Sequence, residues 1–140
     1  METTDQITVQ ATINAPAIKV WNYWTKPEHI IHWAFASDDW EAPSAENDLR
    51  VGGKFKTVMS SKDKSKSFDF IGTYTIVEEH KKIVYHIDDG REVTTTLKNL
   101  DNGTTKITET FDPENENSRA QQETGWQAIL NNFKSYIENN

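Results

Sequence analysis

Only one long stretch of this chain repeats with a helical period, and it comes last. After Ser118, the residues Trp126, Ile129, Leu130, Phe133 and Ile137 form a single apolar stripe with Asn and Lys opposite. Ser118 followed by Gln121 has the form of a capping box and marks where the helix begins. Gly125 flanks the stripe; a glycine inside a helix costs about 1 kcal/mol, and close packing against a neighbouring sheet is the expected reason for it. Most of the preceding chain alternates with period two. One amphipathic rod therefore has to cover an entire sheet.

The alternation can be followed strand by strand. "ITVQATI" sets Ile7, Val9, Ala11 and Ile13 on one face, as in a half-buried strand. "APAIKVWNYW" then turns helical, with Pro16 in a first helical position and Ala17, Val20, Trp21 and Trp24 on one side. Pro27 ends that helix and opens a second short one, "PEHIIHW". Next comes an antiparallel meander. "GGKFKTVM" aligns Phe55, Thr57 and Met59, and "SSKDKSKS" reads as a solvated hairpin tip. "FDFIGTYTIV" aligns Phe68, Phe70, Gly72, Tyr74 and Ile76, and "KIVYHI" aligns Ile83, Tyr85 and Ile87. Asp89-Gly90 and Asn102-Gly103 are hairpin-turn dipeptides on either side of "REVTTTLKNL".

The expected fold is α+β: a curved, six- to seven-stranded antiparallel sheet around the C-terminal helix, with two short helices after the first strand. It forms one domain over residues 1–140, with its core at about 7–138. A helix is roughly 10 Å across and cannot fill the concavity of that many bent strands. The unfilled volume is a natural place for a small molecule.

Charge and composition remove several function classes. The net charge of −7 disfavours nucleic acid and anionic membrane surfaces. With no cysteine there is no disulfide, thiolate chemistry or Cys-based zinc site. "METTDQITVQ" lacks the basic start and apolar run of a secretory leader, and no stretch approaches membrane-spanning length, so a cytoplasmic location is the expectation. His29 and His32 lie three apart on the second short helix, but no third ligand accompanies them at a diagnostic spacing. Gly52-Gly53 lies between strands and reads as a bend, not a phosphate loop. No histidine belongs to a recognisable nucleophile motif. No metal or cofactor is expected.

The segments "NAP…VW…W…PEHI…W", "ASDDWEAPSAENDLRVGGKF", "GTYTIVEEHKKIVY…DDGREV" and "GWQAILNNFKSYIE" run in one order from about Ile7 to Glu138. Together they resemble the family of homologues of the activator of the heat-shock-protein-90 ATPase (the AHSA type). That family belongs to the START-like, or SRPBCC, helix-grip superfamily shared with the birch-pollen allergen and polyketide cyclases. The resemblance implies the fold reached above from periodicity, and a ligand cavity. The eukaryotic activators that name the family carry an additional N-terminal domain that engages the chaperone. This chain starts at its first strand with no room for one, so the expectation moves from chaperone activation to ligand binding.

Candidate wall residues follow from the faces. Trp33, Phe35 and Trp40 cluster in "HIIHWAFASDDWEAP", where they either seal one end of the core or also edge the cavity. Phe55, Met59, Phe70, Tyr74 and Tyr85 share inward faces of the meander, and Trp126, Leu130 and Phe133 face them from the helix. Thr57, Tyr74 and Tyr85 either orient a bound molecule or stand as ordinary core. Glu109 is the most unusual position. In "TKITETF" it alternates with Thr105, Ile107 and Phe111 on the apolar face. A carboxyl there has a raised pKa and serves as a polar anchor or an acid/base, unless a bulge or an arginine such as Arg91 or Arg119 relieves it. The leading expectation is a domain that binds a small, mainly hydrophobic molecule. A chaperone-regulating interaction module is the alternative from another class. A cyclase- or hydrolase-like enzyme using Glu109 is the third, with catalysis the less expected outcome.

Overall fold

The computed structural model describes residues 6–100 and 102–140. Residues 1–5, part of the stretch read for a leader, lie outside the described residues. The elements run β1 (Ile7–Ile13), α1 (Ala17–Thr25), α2 (Pro27–Ile30), β2 (Trp40–Asn47), β3 (Lys54–Ser61), β4 (Ser67–Glu78), β5 (Lys82–Ile87), β6 (Glu92–Asn99), β7 (Thr105–Phe111) and α3 (Arg119–Glu138). The seven strands make one antiparallel sheet in the order β1-β7-β6-β5-β4-β3-β2. β2 through β7 form a continuous meander. β1 pairs with β7, from Ile7 opposite Phe111 to Ile13 opposite Thr105. The connection from β1 to β2 crosses the whole width of the sheet and carries α1 and α2. α3 returns along β1 and covers the concave face. This is the helix-grip architecture.

Several local signals act as their chemistry requires. Ser118 Oγ accepts from the Gln121 N–H at 3.1 Å and Gln121 Oε1 accepts from the Ser118 N–H at 3.2 Å, so the capping box is complete. Gly90 and Gly103 occupy the β5–β6 and β6–β7 turns with φ of 92° and 78°. Pro16, expected in the first helical position, instead stands one residue earlier, as the N-cap of α1.

Three further expectations need correction, and one strand shows no periodic signal at all. β2 is a strand although "WEAPSAEN" does not alternate. Pro43 removes a backbone donor, the pairing with β3 shifts register between Glu41 and Ser44, and the strand is tolerated because it lies at the edge. In β4 the register against β5 shifts between Tyr74 and Ile76, so Ile76 turns out to solvent and Val77 takes the inward place. At the hairpin tip Ser60 and Ser61 are buried, and the exposed stretch begins only at Lys62. Gly125 is not packed against the sheet: a Cβ built there meets nothing within 4 Å.

The core falls into two clusters. One lies beneath the C-terminal half of α3, where Leu130, Phe133 and Ile137 pack on Val9, Ile13, Val20, Trp33 and Ile107. The other gathers Ile7, Trp21, Phe55, Tyr74, Ile83, Tyr85, Val93 and Phe111 along the sheet. Trp24, Leu97 and Trp126 border both. Gly72 lets the rings approach the sheet, because a Cβ at that position would lie 2.5 Å from Phe55 and 3.0 Å from Tyr85.

Candidate functional site

α3 meets the sheet closely along its second half only. Beneath its first half, where Gln122, Gly125, Trp126 and Ile129 face inward, a cavity of about 420 Å3 remains. That volume lies in the range of small-molecule sites. The short helices bring Trp24, Thr25, Ile30, Trp33 and Ala34 to one side, and the sheet brings Phe55, Thr57, Met59, Phe68, Phe70, Tyr74, Ile83, Tyr85 and Glu109 to the other. Ala36, Asn47, Arg91, Glu114 and Asn117 complete the lining.

The walls are mostly aromatic and braced from behind. Trp33 stacks on Trp24 at 4.6 Å, meets the edge of Phe133 at 5.0 Å, and donates its ring N–H to the Tyr23 carbonyl at 3.0 Å. Trp126 stacks on Phe111 at 4.0 Å and 14°, and meets Phe70 edge-on at 6.2 Å. Phe55 sits edge-on to Tyr85 at 4.7 Å. Such offset and perpendicular pairs add to the energy of area burial and hold the rings in place.

Of the twelve side chains chosen from the sequence, the structure brings eight to the lining: Trp33, Phe55, Met59, Phe70, Tyr74, Tyr85, Glu109 and Trp126. The other four stand elsewhere. Leu130 and Phe133 are fully buried in the packed half beneath α3, because the helix approaches the sheet there. Phe35, half-buried, packs against the same cluster. Trp40, on edge strand β2, lies behind Phe68 with ring centres 5.8 Å apart. Residues the sequence reading did not choose include Trp24, Ile30, Asn47, Phe68, Gln122, Gly125 and Ile129. Trp24 shares the stripe of Trp21, and Gly125 sits inside a continuous helix with no close neighbour to account for it; both are signals in the sequence.

The polar groups differ sharply in how they are satisfied. Tyr74 donates to Asn47 Oδ1 at 2.6 Å, and Asn47 Nδ2 donates to the Thr25 carbonyl at 2.6 Å, tying β4, β2 and α1 together. Burial raises the Tyr74 pKa beyond its ordinary range despite that bond. Gln122 is held between the Glu114 backbone and the Asn117 carbonyl. Glu109, by contrast, is only 4% exposed and has no hydrogen-bond partner among the described residues. Burial alone pushes its carboxyl up to about 8. Tyr85 is likewise buried without a bonded hydroxyl, and burial and then the nearby Glu109 raise its pKa. Thr95, opposite Glu109 on β6, has a buried hydroxyl with no partner.

The histidines stand apart from this site. His29 Nδ1 lies 2.8 Å from the Tyr136 hydroxyl and its ring stacks on Tyr23 at 3.9 Å. His86 is exposed and pairs with Glu92 at 3.0 Å. Among the described residues no three His, Cys, Asp or Glu side chains converge as a metal ion requires, and no helix is long and apolar enough to cross a membrane.

Comparison with known proteins places this architecture. No curated protein matches the chain. Among solved structures, the AHSA1-like protein of Aeromonas hydrophila is 42% identical, with a TM-score of 0.89, over 96% of this chain and 92% of that one. The protein Chr148 of Cytophaga hutchinsonii is 51% identical, with a TM-score of 0.82, over the same shares of 96% and 92%. NE0264 of Nitrosomonas europaea shares the fold at 19% identity, with a TM-score of 0.82, over 99% of this chain and 97% of that one. The family model described as "Activator of Hsp90 ATPase homolog 1-like protein" matches residues 14–138. The chain therefore belongs to the AHSA1 family, as a START-like domain of helix-grip fold.

Proposed function

We propose that this domain binds a small, mainly apolar molecule between the sheet and the first half of α3, with Glu109 as its polar anchor. One observation carries the reading: a ring-walled cavity of about 420 Å3 contains a buried carboxyl that no described residue satisfies. A buried polar group without a partner costs about 1–3 kcal/mol, which a ligand that supplies the missing bond recovers. Burial of apolar ligand surface adds about 25 cal/mol per Å2 before ordering costs.

Thermal melting against a library of lipids, aromatics and polyketide-like compounds tests this. A binder raises the melting temperature in a concentration-dependent way. Gly125→Leu, which projects into open space, removes that rise while the variant remains folded. A flat response across the library refutes the reading. The family description supports a second reading, a module that regulates a chaperone of the Hsp90 type. It predicts capture of that chaperone and stimulation of its ATPase by the full chain, both unaffected by Gly125→Leu.

A further inference from the structure

Resting on the ligand-binding reading, we infer that the cavity receives an acceptor oxygen, a ketone carbonyl or a phenolate, held by the Tyr85 hydroxyl and the Glu109 carboxyl acting together as donors. The two groups come from strands on either side of β6. Tyr85 on β5 is opposite Val93, and Glu109 on β7 is opposite Thr95. Val93 and Thr95 lie two apart on one face, so Tyr85 and Glu109 stand on the same face of the sheet, two strands or roughly 10 Å apart and one register step along, a gap that side chains of their length can close on one guest atom. Both are buried, both line the cavity, and neither hydrogen-bonds another described residue. Two unused polar groups aimed into one apolar space make a built site, since such groups are ordinarily satisfied.

The polarity of the surroundings decides between ligand classes. The charged or titratable side chains around that end are Tyr74 on β4, Tyr85 on β5, Arg91 in the β5–β6 turn and Glu114 after β7. α3 brings Gln122, Gly125, Trp126 and Ile129 to the lining, none of them charged. The Tyr74 hydroxyl is committed to Asn47. The Glu114 carboxylate is taken up by the N–H groups of Glu116 and Asn117 and by the Asn117 side chain. The Arg91 guanidinium is paired with Asp89 at 2.8 Å. What is left facing the ligand is a phenol and a carboxyl that burial keeps protonated at neutral pH. Both donate. An organic cation would need Glu109 ionised where desolvation opposes it. A tyrosine hydroxyl beside a carboxyl held neutral in an apolar site is instead suited to an oxygen carrying partial or full negative charge. At a protein-like packing density of about 0.75, the cavity accommodates on the order of 300 Å3 of ligand, roughly two to four rings.

Isothermal titration with three probes of one shape tests the assignment: 2-acetylnaphthalene, 2-isopropylnaphthalene and 1-(2-naphthyl)ethylamine. The expected order is the ketone tightest, by roughly tenfold over the isopropyl compound. Tyr85→Phe and Glu109→Met each abolish that preference. Glu109→Gln, which keeps a donor, retains much of the preference. Equal binding of the ketone and the isopropyl compound, or preference for the amine, overturns the acceptor-oxygen assignment and leaves the cavity reading intact. Binding of none of the three by the folded protein sinks both.

Discussion

Replacing Glu109 with glutamine changes how stability depends on pH, and the size of the change follows from burial. The carboxyl titrates near 4.5 in an unfolded chain and at about 8 in the folded protein. Below pH 4.5 both states hold the proton and the group makes no difference. As pH rises, the unfolded chain loses its proton while the folded one retains it. Each pH unit then costs the folded state about 1.4 kcal/mol, until the loss levels off above the folded pKa. The accumulated cost is at most about 3 kcal/mol at pH 7 and about 5 kcal/mol above pH 8. Glutamine has no such cost, and its own desolvation is the same at every pH. Urea unfolding of both proteins between pH 5 and 9, followed by tryptophan fluorescence, reads the difference directly. Every other titrating group cancels between the two proteins. The gap in favour of Glu109→Gln is expected to be below about 1 kcal/mol at pH 5, to widen through pH 7, and to flatten above pH 8. Parallel curves across that range would mean that Glu109 ionises normally, and the account of an unsatisfied buried carboxyl would fail.

Other substitutions probe the division of α3 into a packed half and an open half. Gly125→Ala places its Cβ in open space and gains helix propensity, so thermal melting should show about 0.5–1 kcal/mol of added stability, a few degrees in Tm. Leu130→Ala hollows a fully buried site and costs about 2–5 kcal/mol in denaturant unfolding, whereas Ile129→Ala, beside existing free volume, costs less than about half of that. A double-mutant cycle of Tyr74→Phe and Asn47→Ala should return a coupling of about 1 kcal/mol for their 2.6 Å hydrogen bond; additive losses would show that the bond contributes nothing.

How much of this was legible in the sequence depended on whether a residue obeyed its element's period. β7 alternates without a break, so the inward placement of Glu109 could be read directly from "TKITETF". Strand β2 could not, because Pro43 and a register shift erase its alternation, and with it went the Asn47–Tyr74 contact. In β4 a single bulge reversed Ile76 while leaving the residues before it in place. The stripe on α3 was plain, yet periodicity says which side of a helix is apolar and not how far each turn stands from the sheet. Leu130 and Phe133 therefore went to packed core, while Gln122 and Gly125, outside the apolar pattern, reached the cavity. The departure of the pattern from large apolar residues upstream of Trp126 is itself the trace of the gap.

The pairing of β1 with β7 also imposes an order of events on the growing chain. Phe111, the partner of Ile7, emerges about a hundred residues after it. Closing so long a loop is entropically costly and favours slow assembly. Until β7 exists, β1 has no strand to join, and until α3 is made, the hollow side of the sheet has no lid. A nascent chain halted before residue 105 would therefore expose a greasy trough and a stranded first segment, the state in which this protein is most open to aggregation.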